Sequence, residues 1–209
     1  NSVAGEAVRD FTGTNPAGTK TNGTSLEGNN NLHISNSYFE GNTGIFLRAK
    51  GEGLVIENSH INGGYWAIAL NGVDGADIHN SLFENSLGDG IKTTKSERAG
   101  DTSKNISVTD SVFLNNGRDG IDTTGGFKDS VIDRSYFVQN HLGLDIKSHY
   151  EEAIDLGQSD NSNITIKNSE FVGNQNHIAV STLDKTVHNS WGEHEASKLL
   201  NNDNWKDYS

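Results

Sequence analysis

The sequence predicts a right-handed parallel β-helix, a solenoid of about six or seven coils forming one domain over 1–209. Two observations carry that prediction. A six-residue phrase recurs along the chain, and its copies bring matching residue types into columns. The composition agrees: 24 Gly, with abundant Asn, Ser and Thr, against only 32% hydrophobic residues. One narrow core with many turns tolerates such a lean mixture.

The phrase first reads Ile34-Ser35-Asn36-Ser37-Tyr38-Phe39 and returns starting at Ile56, Ile78, Val108, Ile132 and Ile166. The steps are 22, 22, 30, 24 and 34 residues, a coil each, with an insertion in the long ones. Stacking the copies makes one apolar column of Ile34, Ile56, Ile78, Val108, Ile132 and Ile166. Phe39, Ile61, Phe83, Phe113, Phe137 and Phe171 make a second. Between them runs a serine column, Ser37, Ser59, Ser81, Ser111, Ser135 and Ser169. Asn36, Asn58, Asn80, Asp110, Arg134 and Asn168 fall where the coil turns, and Asn tolerates the left-handed backbone such turns use.

A second strand follows each phrase. Its inward residues are Ile45, Ile68, Ile91, Ile121, Leu144 and Ile178, each with an inward partner two positions later. The residues between them, Phe46, Ala69, Lys92, Asp122, Asp145 and Ala179, must then point to solvent. Residues 1–30, rich in Gly and Thr and holding the lone Pro16, read as an edge coil or a truncated end. Residues 187–209 lose the repeat and read as a terminal cap, with a helix-like stretch at 193–200 and with Trp191 and Trp205 packing on the last coil.

The formal net charge of −12 excludes nucleic acid as a partner, because phosphate binding needs a basic face. No apolar run approaches a membrane span, so no membrane is expected either. With no Cys there is no disulfide or thiol chemistry, and the absence of Met even at position 1 predicts a processed or excised piece. The eight His are scattered without helical ligand spacing, which argues against zinc. Sequons at Asn22, Asn105 and Asn163 carry no argument by themselves.

Charge concentrates on the outward face of three consecutive coils, where Asp89, Lys92, Arg118, Asp119, Asp122, Asp145 and Lys147 come together. Flanking coils put Ala69 and Ala179 in the same column, and the long insertions at 95–105 and 148–163 fall beside these coils, where they would wall a groove. Several carboxylates within reach of one point make a hard oxygen site for Ca²⁺. Such a cation holds a uronate carboxylate and acidifies its α-proton for a nearby Lys or Arg to remove.

At these residues the chain resembles the pectate-lyase-like β-helix superfamily, and within it the family nine polysaccharide lyases. Their AspGly phrase matches Asp89-Gly90, their AspAspGly-x-Asp phrase matches Arg118-Asp119-Gly120-Ile121-Asp122, and their Gly-x-Lys phrase matches Gly143-Leu144-Asp145-Ile146-Lys147. The resemblance implies Ca²⁺ on Asp89, Asp119 and Asp122, with Lys147 as the base. Two departures stand out. Arg118 replaces a carboxylate, for which Asp145 could substitute, and the Lys is shifted by two positions, which leaves Lys147 or Lys92 as base. The likeness covers 30–182 as a fold and 89–147 as a motif.

The expected activity is therefore calcium-dependent β-elimination on an anionic, uronic-acid polysaccharide, by a secreted or periplasmic monomer. Lys92 or Arg118 would neutralise the substrate carboxylate, and Arg48, His141 and His149 would contact substrate at the groove. Glu151 and Glu152 extend the metal site or solvate their loop. Mannuronan C5-epimerases share the fold, but their Tyr-x-x-Asp-Pro-His phrase is absent here. A glycoside hydrolase would need paired carboxylates, for which Asp122 and Asp145 could serve. A non-catalytic adhesin or carbohydrate-binding scaffold would use Phe46, Tyr65 and Trp66 as stacking surfaces for sugars.

Overall fold

The computed structural model describes residues 31–41, 52–93, 102–147 and 161–180 in full, together with the backbone of Glu6–Asp10, Gly13–Thr14, Lys20–Thr21, Thr43–Arg48 and residue 181. The central parts of both insertions, most of the predicted edge coil and the whole predicted cap at 187–209 lie outside these residues. Among the described residues the secondary structure is strand alone, arranged as three parallel sheets and one short antiparallel pair. No helix among them is long and apolar enough to cross a membrane.

Each coil contributes one strand to each parallel sheet. The six-residue phrase spans two of them. Its first half lies in the sheet that begins with His33–Ser35 and Glu52–Glu57 and ends with Thr165–Lys167. Its second half lies in the sheet that runs from Tyr38–Gly41 to Glu170–Val172. The third, seven-stranded sheet is made of Glu6–Asp10, Thr43–Arg48, Ile68–Asn71, Ile91–Thr93, Asp119–Asp122, Leu142–Lys147 and Asn176–Ser181. The chain is a right-handed parallel β-helix, as its repeat predicts.

The columns stand in the predicted register. Ile34 pairs with Ile56, Ile56 with Ile78, Ile78 with Val108, Val108 with Ile132 and Ile132 with Ile166. The phenylalanine column forms a continuous stack, with ring centroids 5.1, 4.8 and 4.6 Å apart from Phe83 through Phe113 and Phe137 to Phe171. Those spacings are the distance between neighbouring strands, so the ring pile follows from strand pairing itself. Asn36, Asn58, Asn80, Asp110, Arg134 and Asn168 all take φ between 48° and 50°. Asn is cheap there; Arg134 is not, and two aspartates brace it. Its guanidinium is 2.7 Å from Asp110 and also donates to Asp133.

The serine column carries the hydrogen-bond ladder through this bend. Each Ser Oγ donates to the carbonyl two residues back and accepts the backbone N–H of the preceding coil's serine. The accepting distances run from 3.1 to 3.3 Å between Ser37 and Ser169. A second ladder occupies the next corner. The amides of Ser86, Asn116 and Asn140 donate to the side-chain oxygens of Asn116, Asn140 and Asn174. Both ladders supply partners to backbone groups that a corner would otherwise leave buried and unsatisfied.

The glycines preceding the third-sheet strands have a packing reason. An added Cβ at Gly90, Gly120 or Gly143 would lie 2.8, 2.6 or 2.5 Å from the Cδ1 of Phe113, Phe137 or Phe171. The phenylalanine pile thus fills the space where these side chains would stand. Ala67 holds the equivalent place one coil before Gly90.

Candidate functional site

The seven-stranded sheet aligns the outward column as expected: Phe46, Ala69, Lys92, Asp122, Asp145 and Ala179 are successive register partners. Thr93 and Thr123 follow Lys92 and Asp122 and are fully buried. Asp89 and Asp119 lie one rung apart at the start of the same strands, joined by a 3.2 Å bond from the Asp119 N–H to Asp89 Oδ1.

One expectation is corrected. The outward residues of these coils do not face solvent. Asp89 and Asp122 are fully buried, and Asp119, Asp145, Lys92 and Lys147 expose 2%, 5%, 8% and 7%. The two lysines turn onto the aspartates of their own and neighbouring coils instead of reaching out to water.

Asp122 is the hub. Its Oδ2 takes the ammonium of Lys92 and, at 3.0 Å, that of Lys147. Its Oδ1 accepts the Thr124 N–H at 2.9 Å and the Thr124 hydroxyl at 2.6 Å. Burial opposes the charge of Asp122, but Lys92 and Lys147 outweigh it and hold its carboxyl below the usual range. Lys147 also pairs with Asp145 and stands 3.7 Å from Asp119. Burial works against its ammonium, yet Asp122 and Asp145 prevail and raise its pKa above the ordinary lysine value.

The carboxyls of Asp89, Asp119 and Asp122 lie within 4.8 Å of one another. Asp89 Oδ2 and Asp119 Oδ2 are buried and accept no hydrogen bond; their nearest cations are Lys92 at 3.9 Å and Lys147 at 3.7 Å. Burial, reinforced by Asp122, pushes Asp89 up to about 6. Burial and the charge of Asp89 push Asp119 up to about 8. Two converging buried oxygens without hydrogen-bond donors are what a hard divalent cation would satisfy, and this donor set fits Ca²⁺ or a similar oxygen-seeking ion. Asp145 stands outside the trio, turned to Lys147.

The remaining predicted contacts separate. Arg118 and His141 share the exposed corner before the cluster, the His141 N–H bonding the Arg118 carbonyl at 2.7 Å. Asp89, Asp119 and Asp122 outweigh partial burial and keep Arg118 strongly cationic. Arg48 pairs through its backbone with Asn71, but its side chain lies outside the described residues, as do the side chain of Phe46 and all of His149, Glu151 and Glu152. Two features escaped the sequence. Thr124, which clamps Asp122, falls in the outward column two positions past Asp122, where the sequence gives it no role. The asparagine ladder had a usable signal: Ser86, Asn116, Asn140 and Asn174 each follow a column Phe by three residues.

Fold and site together define a right-handed parallel β-helix carrying a buried row of alternating charges on one sheet. The chain belongs to the right-handed beta helix family, whose model matches residues 2–137. No curated protein and no solved structure matches it.

Proposed function

We propose that the protein is a secreted, calcium-dependent polysaccharide lyase that cleaves a uronic-acid polymer by β-elimination. The observation that carries this reading is the trio Asp89, Asp119 and Asp122, buried within 4.8 Å of one another, with two carboxylate oxygens that accept no hydrogen bond. Asp89, Asp119 and Asp122 would hold the cation. When bound, Ca²⁺ would supply charge to grip the uronate carboxylate and make the α-proton easier to remove.

The chain's own residues divide the remaining work. Arg118, exposed at the corner and held cationic, meets the anionic polymer first. Lys92, held by Asp122 and by Thr124 at 2.9 Å, offsets carboxylate charge. Lys147 takes the α-proton, for which it must first leave Asp122 and Asp145. While those carboxylates grip it, it is an acid rather than a base. Loss of the C4 substituent then completes the elimination.

A second reading has its own support. Asp119, raised to about 8, is a protonated carboxyl beside the ionised Asp122, less than 4.8 Å away. An acid beside an ionised carboxylate is the pair a glycoside hydrolase uses, here set closer than the roughly 5–5.5 Å of retaining enzymes.

One assay separates the two. Polygalacturonate, alginate and glucuronan are incubated with Ca²⁺ or EDTA, and both absorbance near 235 nm and reducing ends are followed. The lyase reading expects a 235 nm rise that EDTA abolishes and that Lys147→Ala lowers at least about a hundredfold. Reducing ends without that absorbance, surviving EDTA and lost in Asp119→Asn, would transfer the assignment to a hydrolase. Silence on all three polymers in both readouts would remove catalysis on these substrates.

A further inference from the structure

The corner one rung before the carboxylate trio also carries an aromatic side chain, Tyr65, that neither reading above uses. Tyr65, Gly88, Arg118 and His141 stack in one column: the Gly88 N–H bonds the Tyr65 carbonyl at 2.7 Å, the Arg118 N–H bonds that of Gly88 at 3.0 Å, and His141 follows. Trp66 occupies the place that Asp89 and Asp119 hold in the next two coils, because the Ala67 N–H bonds the Asp89 carbonyl and that of Gly90 bonds Asp119.

Tyr65 is 41% exposed, high for a ring so close to a packed core. Its ring meets that of Trp66 with centroids 5.1 Å apart at 63°, and its side chain helps keep the Arg118 guanidinium of the same column charged. Between them in the column stands Gly88, where a Cβ would come within 2.7 Å of the Tyr65 carbonyl and 3.2 Å of Trp66 Cδ1. The glycine therefore makes room for the Trp66 indole and puts no side chain between tyrosine and arginine. The result is an open aromatic ring, braced from behind by an indole, with a cationic fork at its rim and the buried carboxylates on the next position along the strand. A flat apolar face edged by a guanidinium matches a sugar ring that bears a carboxylate.

We infer that Tyr65 and Arg118 form a hexuronate subsite beside the carboxylate trio, the sugar ring stacking on Tyr65 and its carboxylate pairing with Arg118. The inference rests on the uronic-acid reading above but not on catalysis. It makes Tyr65 a binding residue that sets where the polymer lies, and it assigns to Arg118 a share of the discrimination between charged and neutral sugars.

The test is titration of hexamers of galacturonate, mannuronate and glucuronate, and of their carboxyl-reduced counterparts, by calorimetry in Ca²⁺ and in EDTA. Tyr65→Ala should weaken the best uronate hexamer at least about tenfold, in line with the loss of one stacked ring. Tyr65→Phe, which keeps the ring, should bind within about threefold of wild type; if Tyr65→Ala unfolds, this variant and Arg118→Gln still decide. Arg118→Gln should lower the preference for charged over reduced hexamers, in EDTA as well as in Ca²⁺. Unchanged affinity in Tyr65→Ala, or a charge preference that Arg118→Gln leaves unchanged in EDTA, overturns the subsite even where elimination is observed. Tyr65-dependent binding without any 235 nm product upholds the subsite while the lyase reading falls. Failure of the wild type to bind any uronate hexamer overturns the subsite outright.

Discussion

At the scale of single residues, the site is governed by how two carboxyls tolerate burial. In the unfolded chain Asp89 and Asp119 ionise near the ordinary aspartate value; in the folded protein they keep their protons to about 6 and about 8. Between pH 4 and 8 the native state thus binds more protons than the unfolded state, so stability falls as pH rises through that window. Asp122 works in the opposite sense, but only below its ordinary value. In EDTA, Tm should drop by roughly 5 °C between pH 5 and pH 8, and Asp119→Asn should remove most of that drop. A scanning-fluorimetry series checks this, and a flat profile in the wild type would mean that these carboxyls are not paired as described. The residue types of the site were readable from the AspGly rhythm. Their burial was not, because an alternating strand pattern says which side a residue leaves from, not whether its neighbours fold over it.

At the scale of the coil, the repeating phrase was enough to place both apolar columns, the serine column and the left-handed corner. Each of these demands a narrow set of residue types at every pass. The asparagine ladder was less legible because Ser86 opens it and because Asn is common throughout this chain. The glycines of the AspGly phrases show how a motif can mix two causes: the aspartates belong to the charged row, whereas Gly90 and Gly120 make room for phenylalanine rings. Gly120→Ala should therefore destabilise by about 2–3 kcal/mol and lower Tm by roughly 5–10 °C. Replacing Phe137 by Leu in the same chain should recover the part of that loss due to the ring edge, while the 2.5 Å approach to the Gly143 carbonyl remains. Additive losses in the double variant would show that the ring contributes none of it.

At the scale of the whole molecule, three sheets share one direction of hydrogen bonding. Every interior strand of the three parallel sheets pairs with the coil before and the coil after it, so the bonds lie along the solenoid axis rather than across it. The corner ladders of serine and asparagine point the same way. Such an object has a mechanical grain. Tension applied along the axis loads one coil boundary at a time and peels it like a zip, whereas tension across the axis loads a full set of strands in shear. In an optical trap pulling from the two ends, the chain should give way at low force in discrete lengthenings of roughly 7–12 nm, the contour of 22 to 34 residues. A single large rip would show that the coils fail together instead. Because the charged row bridges three successive coils through Lys92, Asp122 and Lys147, it is also a rivet across two of those seams, and a ligand seated there should be felt as a delay in the middle of the unzipping.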